Sequence, residues 1–363
     1  MLRDKGDNHT SENDIIEILL RLPVKALLRF KCVCKTWNAL IRNSNFVTKQ
    51  LNHHSNNARL LIQYHNYCTE KFAFALILNE ILTKEPLLSH DLDFQHMRCD
   101  SGVIGPLNGI LGLWNWNRIA LWNPATKEFR FLSIPHSNLP PHFRACSYYF
   151  GFGLDLTTND CKLIWIRDFW DNKIDTLYDP RVVSVYTLGS DSWRVFEVDL
   201  YGSIQDSLGN TYMNGFYYWL TNEKYDKILI ILSFDIGNEV FREIKMPPDM
   251  AKSKWGDLSM YNDSLAMFIY DPNEVEKYID IWLMTVEECW MKELTIGPLL
   301  DVERPLGFWK NGELFLELET GESVLYNPNT GETKDLRHRG KDDCLKVLIY
   351  KESLVSIKEG NDF

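Results

Sequence analysis

One ten-residue phrase recurs along most of this 363-residue chain and limits its fold more than any other feature. It joins an aromatic or apolar run to a polar turn and then to a second run. It begins at Leu121 (LWNPATKEFR), Val185 (VYTLGSDSWR), Ser233 (SFDIGNEVFR), Ile281 (IWLMTVEECW) and Leu325 (LYNPNTGETK). A shorter motif precedes it, a tight turn entering an apolar strand, at Asn108-Gly109, Asn214-Gly215, Asn262-Asp263 and Asn311-Gly312. Asn-Gly supplies the positive φ that such a turn requires. From Trp122 to Tyr186, Phe234, Trp282 and Tyr326 the steps are 64, 48, 48 and 44 residues. Steps of that size, each holding several short strands, are what β-propeller blades demand, and the aromatic markers then pack between adjacent blades. The step of 64 leaves room for an inserted loop around Phe169–Pro180. Lys346–Tyr350 and Ser353–Ile357 are expected to pair with Arg59–Tyr64 and close the ring. Five repeats and this closing blade make about six blades; a β-sandwich with long loops is the alternative.

The first tenth of the chain has a different period. Ser11 caps a helix whose positive first turn holds Glu12 and Asp14, and Ile15, Ile18, Leu19 and Leu22 recur at helical spacing until Pro23. A second helix starts at Val24 and carries Leu27 and Leu28; a third carries Cys34, Trp37, Leu40 and Ile41. About thirty residues cannot bury three such stripes among themselves, so the surplus packs on the rest of the chain or on another protein. The expected organisation is a disordered stretch at 1–10, a three-helix domain over 11–55 and an all-β propeller-like domain over 56–363, an α+β multidomain chain.

Charge is divided unevenly. Residues 1–60 hold ten Lys/Arg against five Asp/Glu, and the remaining 29 basic and 45 acidic residues give the rest a charge of −16. An acidic body of that size disfavours nucleic acid and anionic membrane and suits a basic protein partner. Apolar runs such as IIEILL are far shorter than the roughly twenty residues a membrane span needs. The polar N-terminus is no secretory signal. Eight scattered cysteines without C-x-x-C pairs point to reduced thiols in the cytosol or nucleus.

The helical segment resembles an F-box, through Leu22-Pro23-Val24-Lys25, Leu27-Leu28-Arg29-Phe30 and above all Val33-Cys34-Lys35-x-Trp37. One departure is visible: Thr10-Ser11-Glu12-Asn13 stands where many members carry Leu-Pro-x-(Asp/Glu). The resemblance implies that Ile15, Leu19, Leu22, Pro23, Leu27, Val33, Cys34, Lys35 and Trp37 meet a Skp-type adaptor, which links to a cullin and a RING-box protein in a ubiquitin ligase. The alternative is a helical cap packed entirely on its own domain. The region beyond is similar to the F-box-associated, kelch-like domain of plant F-box proteins, through Trp122-Asn-Pro-Ala-Thr-Lys-Glu-Phe-Arg, Gly151-Phe-Gly-Leu-Asp, Tyr186-x-Leu-x-x-x-Ser-Trp-Arg and Leu232-Ser-Phe-Asp-Ile-x-x-Glu-x-Phe. Within that group it most resembles the S-locus F-box proteins of pollen, in Phe150-Gly-Phe-Gly-Leu-Asp, Ile244-Lys-Met-Pro, Ile281-Trp-Leu-Met and Tyr350-Lys-Glu-Ser-Leu-x-Ser-Ile. That implies a role in gametophytic self-incompatibility in the pollen-tube cytosol, with a basic secreted S-RNase as the target.

Target specificity is expected in loops on one propeller face. The candidates are Asp168, Phe169, Trp170, Asp171, Asp175 and Tyr178; Glu223, Tyr225 and Asp226; and Glu274 and Glu276. For each, an ordinary solvated turn is the competing interpretation. The sequence gives no reason to expect a cofactor, a metal or a catalytic residue. His53-His54 lacks carboxylates at metal-site spacing, and Gly151-Phe-Gly-Leu-Asp lacks the third glycine of a phosphate loop. No nucleophile, base and orienting group assemble. Two other classes stay open: a receptor for an unrelated substrate in defence or hormone response, and a propeller enzyme like the kelch-type oxidases, which needs His and Tyr converging on the channel.

Overall fold

The computed structural model describes residues 12–53, 58–66, 71–77, 84–86, 102–115, 118–135, 139–200, 202–205, 209–222, 229–247, 255–285, 288–340 and 345–358. Four helices come first: α1 (Glu12–Leu20), α2 (Val24–Phe30), α3 (Lys35–Arg42) and α4 (Ser44–His53). Pro23, which cannot continue a helix, stands in extended conformation as the N-cap of α2. Cys34 caps α3, its Sγ accepting the Trp37 amide at 3.4 Å. The fourth helix corrects the expectation of three. Asn43 separates it from α3, with Oδ1 accepting the Asn45 amide at 3.0 Å. Its inward residues, Phe46, Val47, Gln50 and Leu51, repeat at helical spacing among polar neighbours, and His53 is its last residue.

The described strands form six sheets, one per blade. Blade one takes β1 (Arg59–Asn66), β2 (Lys71–Ile77) and β3 (Lys84–Pro86) from the start of the domain, and its innermost strand, β25 (Lys346–Tyr350), from the end. Blade two holds β4 (Gly102–Leu107), β5 (Ile110–Asn115), β6 (Arg118–Asn123) and β7 (Glu128–Leu132). Blade three holds β8 (Phe143–Asp155), β9 (Asp160–Asp171), β10 (Thr176–Thr187) and β11 (Ser192–Val198). Blade four has β12 (Ser203–Gln205) and β13 (Tyr212–Met213) beside β14 (Phe216–Asn222), then β15 (Leu229–Asp235) and β16 (Val240–Ile244). Blade five runs β17 (Trp255–Tyr261), β18 (Ser264–Tyr270), β19 (Lys277–Met284) and β20 (Trp290–Leu299). Blade six runs β21 (Val302–Phe308), β22 (Leu314–Leu318), β23 (Glu322–Tyr326) and β24 (Thr333–Arg339).

The five aromatic markers all fall on third strands, and each inter-blade seam has its own apolar cluster. Trp122 enters the seam of blades one and two, Tyr186 that of two and three, Phe234 that of three and four, and Trp282 that of four and five. Burying each such ring is worth about 1.5–3 kcal/mol. The ring closes as Arg59 pairs Tyr350 and Gln63 pairs Lys346, with strands antiparallel.

Two expectations are corrected. The segment around Phe169–Pro180 is no inserted loop: β9 and β10 continue through it as a long hairpin, with a bulge between Tyr178 and Val182 where Pro180 is tolerated. Ser353–Ile357 pairs with no strand among the described residues. Asn123 Nδ2 instead donates to the Ser353 and Val355 carbonyls at 3.1 and 2.7 Å. Leu354 enters the helical core, while Val355 and Ile357 enter the seam of blades two and three. This tail is the joint between the helices and the propeller.

Candidate functional site

Antiparallel strands put successive turns of a blade on opposite faces of the ring. The first and third turns share the face that carries the helices. Ala125, in the third turn of blade two, packs on the helical core, and Asn108 and Asn159, in first turns, lie beside α4. The end of α4, at Leu51 and Asn52, reaches the channel mouth, a cavity of about 760 Å³ lined also by Leu107, Tyr212, Phe308 and Leu348. Second turns emerge on the far face, away from the helices.

The helical core consists of Leu19, Leu20, Val24, Leu27, Ile41, Phe46 and Leu354, all buried. Two adaptor-face candidates, Leu19 and Leu27, are therefore sealed inside and cannot touch a partner directly; they hold the backbone of the face. Ile15, Leu22 and Trp37 are half-buried against that core, with the Trp37 ring tilted against that of Phe30 at 5.2 Å between centroids. Pro23, Cys34 and Lys35 are exposed, and Val33 is 61% exposed. Ile18, at 58% exposure, belongs with them, although it was absent from the candidates. Its helical phase had placed it on the α1 stripe, one position from the residue that turns inward.

The far face separates its candidates further. Asp168 is buried, its Oδ1 accepting Arg181 Nε at 2.6 Å and its Oδ2 the Tyr149 hydroxyl at 3.3 Å. Phe169 is buried with the Arg167 guanidinium 5.6 Å from its ring centre. Asp171 is buried and closes the hairpin turn by accepting the Lys173 amide at 2.8 Å. These three are structural, because the strands continue past the point where a loop was expected. Asp175 is exposed at the hairpin tip, where it accepts from Trp170 Nε1 at 3.2 Å. Tyr178 is half-buried, its ring 4.8 Å from that of Phe143 and its hydroxyl 3.5 Å from Glu197 Oε2. Glu274 and Glu276 are exposed in the second turn of blade five. Glu223, Tyr225 and Asp226 lie outside the described residues.

The sequence reading missed the apolar side chains between these acids. Ile174, beside Asp175, is 70% exposed, and Val275, between Glu274 and Glu276, is 77% exposed. A β-branched residue inside a turn of Asn, Lys, Asp or Glu serves no turn geometry, and that was the available signal.

A family model for the F-box domain matches residues 12–49, and one for the F-box associated beta propeller domain matches residues 59–357. The chain belongs to the F-box proteins with an associated β-propeller. An F-box/kelch-repeat protein of Arabidopsis thaliana is 28% identical over 296 residues, 77% of this chain and 74% of that one. An Arabidopsis F-box protein is 32% identical over 237 residues, covering 63% and 60% of the two chains. Another F-box/kelch-repeat protein of the same plant is 26% identical over 357 residues, 94% of this chain and 93% of the other. Among the described residues of this F-box protein, no helix is long and apolar enough to cross a membrane, and no three His, Cys, Asp or Glu side chains cluster as a metal site.

Proposed function

We propose that this F-box protein is the substrate-recognition subunit of an SCF-type ubiquitin ligase and that its target is a basic secreted ribonuclease of the S-RNase class, met in the pollen-tube cytosol. The helices hold a Skp-type adaptor, and through it a cullin and RING-box protein; the far propeller face holds the target. A ubiquitin-charged enzyme recruited by the cullin then modifies a target lysine by proximity, so positioning is this chain's contribution. The observation that carries the reading is the apolar surface the helical unit leaves uncovered, with Val33 and Ile18 more than half exposed, on the side of the molecule opposite the free turns. For the target, support comes from charge: residues 61–363 carry −16, and opposed charge steers encounter and raises the association rate.

The test of the adaptor face is Val33→Asp, which alters an exposed side chain without disturbing the core. Co-purification with the adaptor is expected to fall below detection while the melting temperature stays unchanged; undiminished co-purification refutes the face. Trp37→Ala is the weaker probe, because it also unpacks Phe30. For the target, affinity purification from pollen with mass spectrometry is expected to recover a basic ribonuclease. A second reading, a receptor for an unrelated substrate in defence or hormone response, is supported by the Arabidopsis relatives, which share the scaffold at 26–32% identity, low enough for the far-face turns to differ. Recovery of a different protein through the same face decides for it.

A further inference from the structure

Between the helices and the propeller lies a second cavity, of about 470 Å³. Its wall is drawn from segments far apart in the chain: Lys31 after α2, Arg42 at the end of α3, Ser44 and Thr48 of α4, Glu128 of blade two, and Lys358 at the end of the tail. Three cations thus converge on one cavity in a chain whose formal net charge is −11. None of the three forms an ion pair with another described residue. The one carboxylate among the described residues of the wall, Glu128, is already engaged: its Oε2 accepts the Ile357 amide at 2.9 Å. Cys161 adds no negative charge, since burial, reinforced by Asp160, pushes its thiol up to about 12. The concentration of positive charge is felt at Lys31, where burial and then the neighbouring Arg42 lower the ammonium below its usual range, offset in part by Glu128.

We propose that this cavity binds a small metabolite carrying more than one phosphate group. Charge-assisted hydrogen bonds from ammonium and guanidinium groups are the strong kind, and Arg presents its donors as a fork that matches phosphate. The hydroxyls of Ser44 and Thr48 add neutral donors in the same wall. The volume exceeds what one inorganic ion fills and falls among ligand pockets of roughly 300–1,000 Å³. Bound there, the ligand ties α2, α3 and α4 to blades two and three and to the tail. It thereby fixes the angle between the helical unit and the propeller. The inference concerns this joint and holds whatever the target.

Isothermal titration of the full chain, without adaptor, with sodium tripolyphosphate tests it, with sulfate and inorganic phosphate at matched ionic strength as comparisons. The expected result is one site per chain, with tripolyphosphate bound at least about tenfold more tightly than sulfate. The double variant Arg42→Ala, Lys358→Ala is expected to weaken binding by about tenfold or more, and Lys358→Glu to do so alone. Both side chains are exposed, so ligand-free melting curves should coincide with the parent's. Absence of saturable heat, equal affinity for sulfate, or undiminished binding by folded variants overturns the proposal.

Discussion

On the propeller face that carries the helices, several turn side chains are committed to the chain itself. Asn123 is fully buried; its Oδ1 accepts the Ala125 and Thr126 amides at 3.0 and 3.3 Å while its Nδ2 holds the tail. Asp155 accepts the Thr157 and Thr158 amides and pairs with Lys162 Nζ at 3.1 Å. Gly109 has φ +77°, and a Cβ there would sit 2.4 Å from that of Ser353, so the tail itself excludes any larger residue. On the opposite face, Ile174 and Val275 are exposed beside carboxylates, of which Asp175 accepts from Trp170 Nε1 at the hairpin tip. The turns that hold the tail and the Lys162 pair are thus fixed by internal chemistry, whereas exposed tip residues of second turns, such as Ile174 and Val275, lie outside the blade packing. Changes at such exposed tips are thereby separated from changes that unfold the protein.

The strongest way to break the fixed face is to remove Lys162. Its Nζ, buried between blades three and four, meets Asp155 and Glu239 Oε1 at 3.1 and 3.0 Å and donates to the Ile236 carbonyl at 3.1 Å. Lys162→Met leaves Asp155 with a buried charge and no cation among the described residues, while Glu239 retains Arg194. Breaking a buried pair in this way costs about 3–5 kcal/mol, to be read from denaturant unfolding. Asn123→Ala comes next. It orphans the Ser353 and Val355 carbonyls and two turn amides, for an expected loss of about 2–3 kcal/mol. It should also accelerate proteolysis between the helices and blade one, since the tail is released.

The Lys162 triad has a pH signature as well. Burial alone would raise the Asp155 carboxyl, but the hydrogen bonds from Lys162, Thr157 and Thr158 outweigh it and hold the group below its usual range. A depressed folded value means stability that is present above the unfolded value and lost as pH falls, here below about pH 4. Burial alone would likewise lower Lys162, but its bonds to Glu239 and Asp155 raise it, so its share is lost only above about pH 10.4. Asp155→Asn is therefore expected to be less stable than the parent at pH 7 and to converge with it as thermal unfolding is followed down to pH 3.

Much of the ring was legible because its markers do one job. An aromatic on the third strand fills a seam, and Asn at positive φ opens the hairpins at Asn108, Asn214 and Asn262 and the turn at Asn311; both requirements recur with the blade. What was illegible depends on partners distant in sequence. Asp168 reads as a surface acid until Arg181 arrives across the hairpin at 2.6 Å, and the long step of 64 residues suggested an inserted loop where two strands simply run on. Ser353–Ile357 alternates like a strand, but its carbonyls go to Asn123 and its side chains to two different cores. The helical wording located α2 and α3 well. It could not tell which side of each stripe turns inward, and so Leu27 was placed on the surface and Ile18 was overlooked. α4 stayed hidden because its exposed positions are polar and its apolar ones few.

The smallest stability effect is expected on the free face, and there it is the most informative. Ile174→Asp and Val275→Asp replace side chains that touch little of the chain, so unfolding free energy should move by no more than about 0.5 kcal/mol. Both changes add negative charge, which by itself would speed encounter with a basic target. If the apolar tips are contact points, the two variants should nevertheless release the target, because a carboxylate forced into a desolvated contact loses more than long-range attraction returns. Association rate and residence time, measured by surface plasmon resonance at two salt concentrations, separate the terms. A faster on-rate with a much faster off-rate places Ile174 and Val275 inside the interface. Tighter binding throughout assigns the far face a purely electrostatic role, and recognition then belongs elsewhere on the ring.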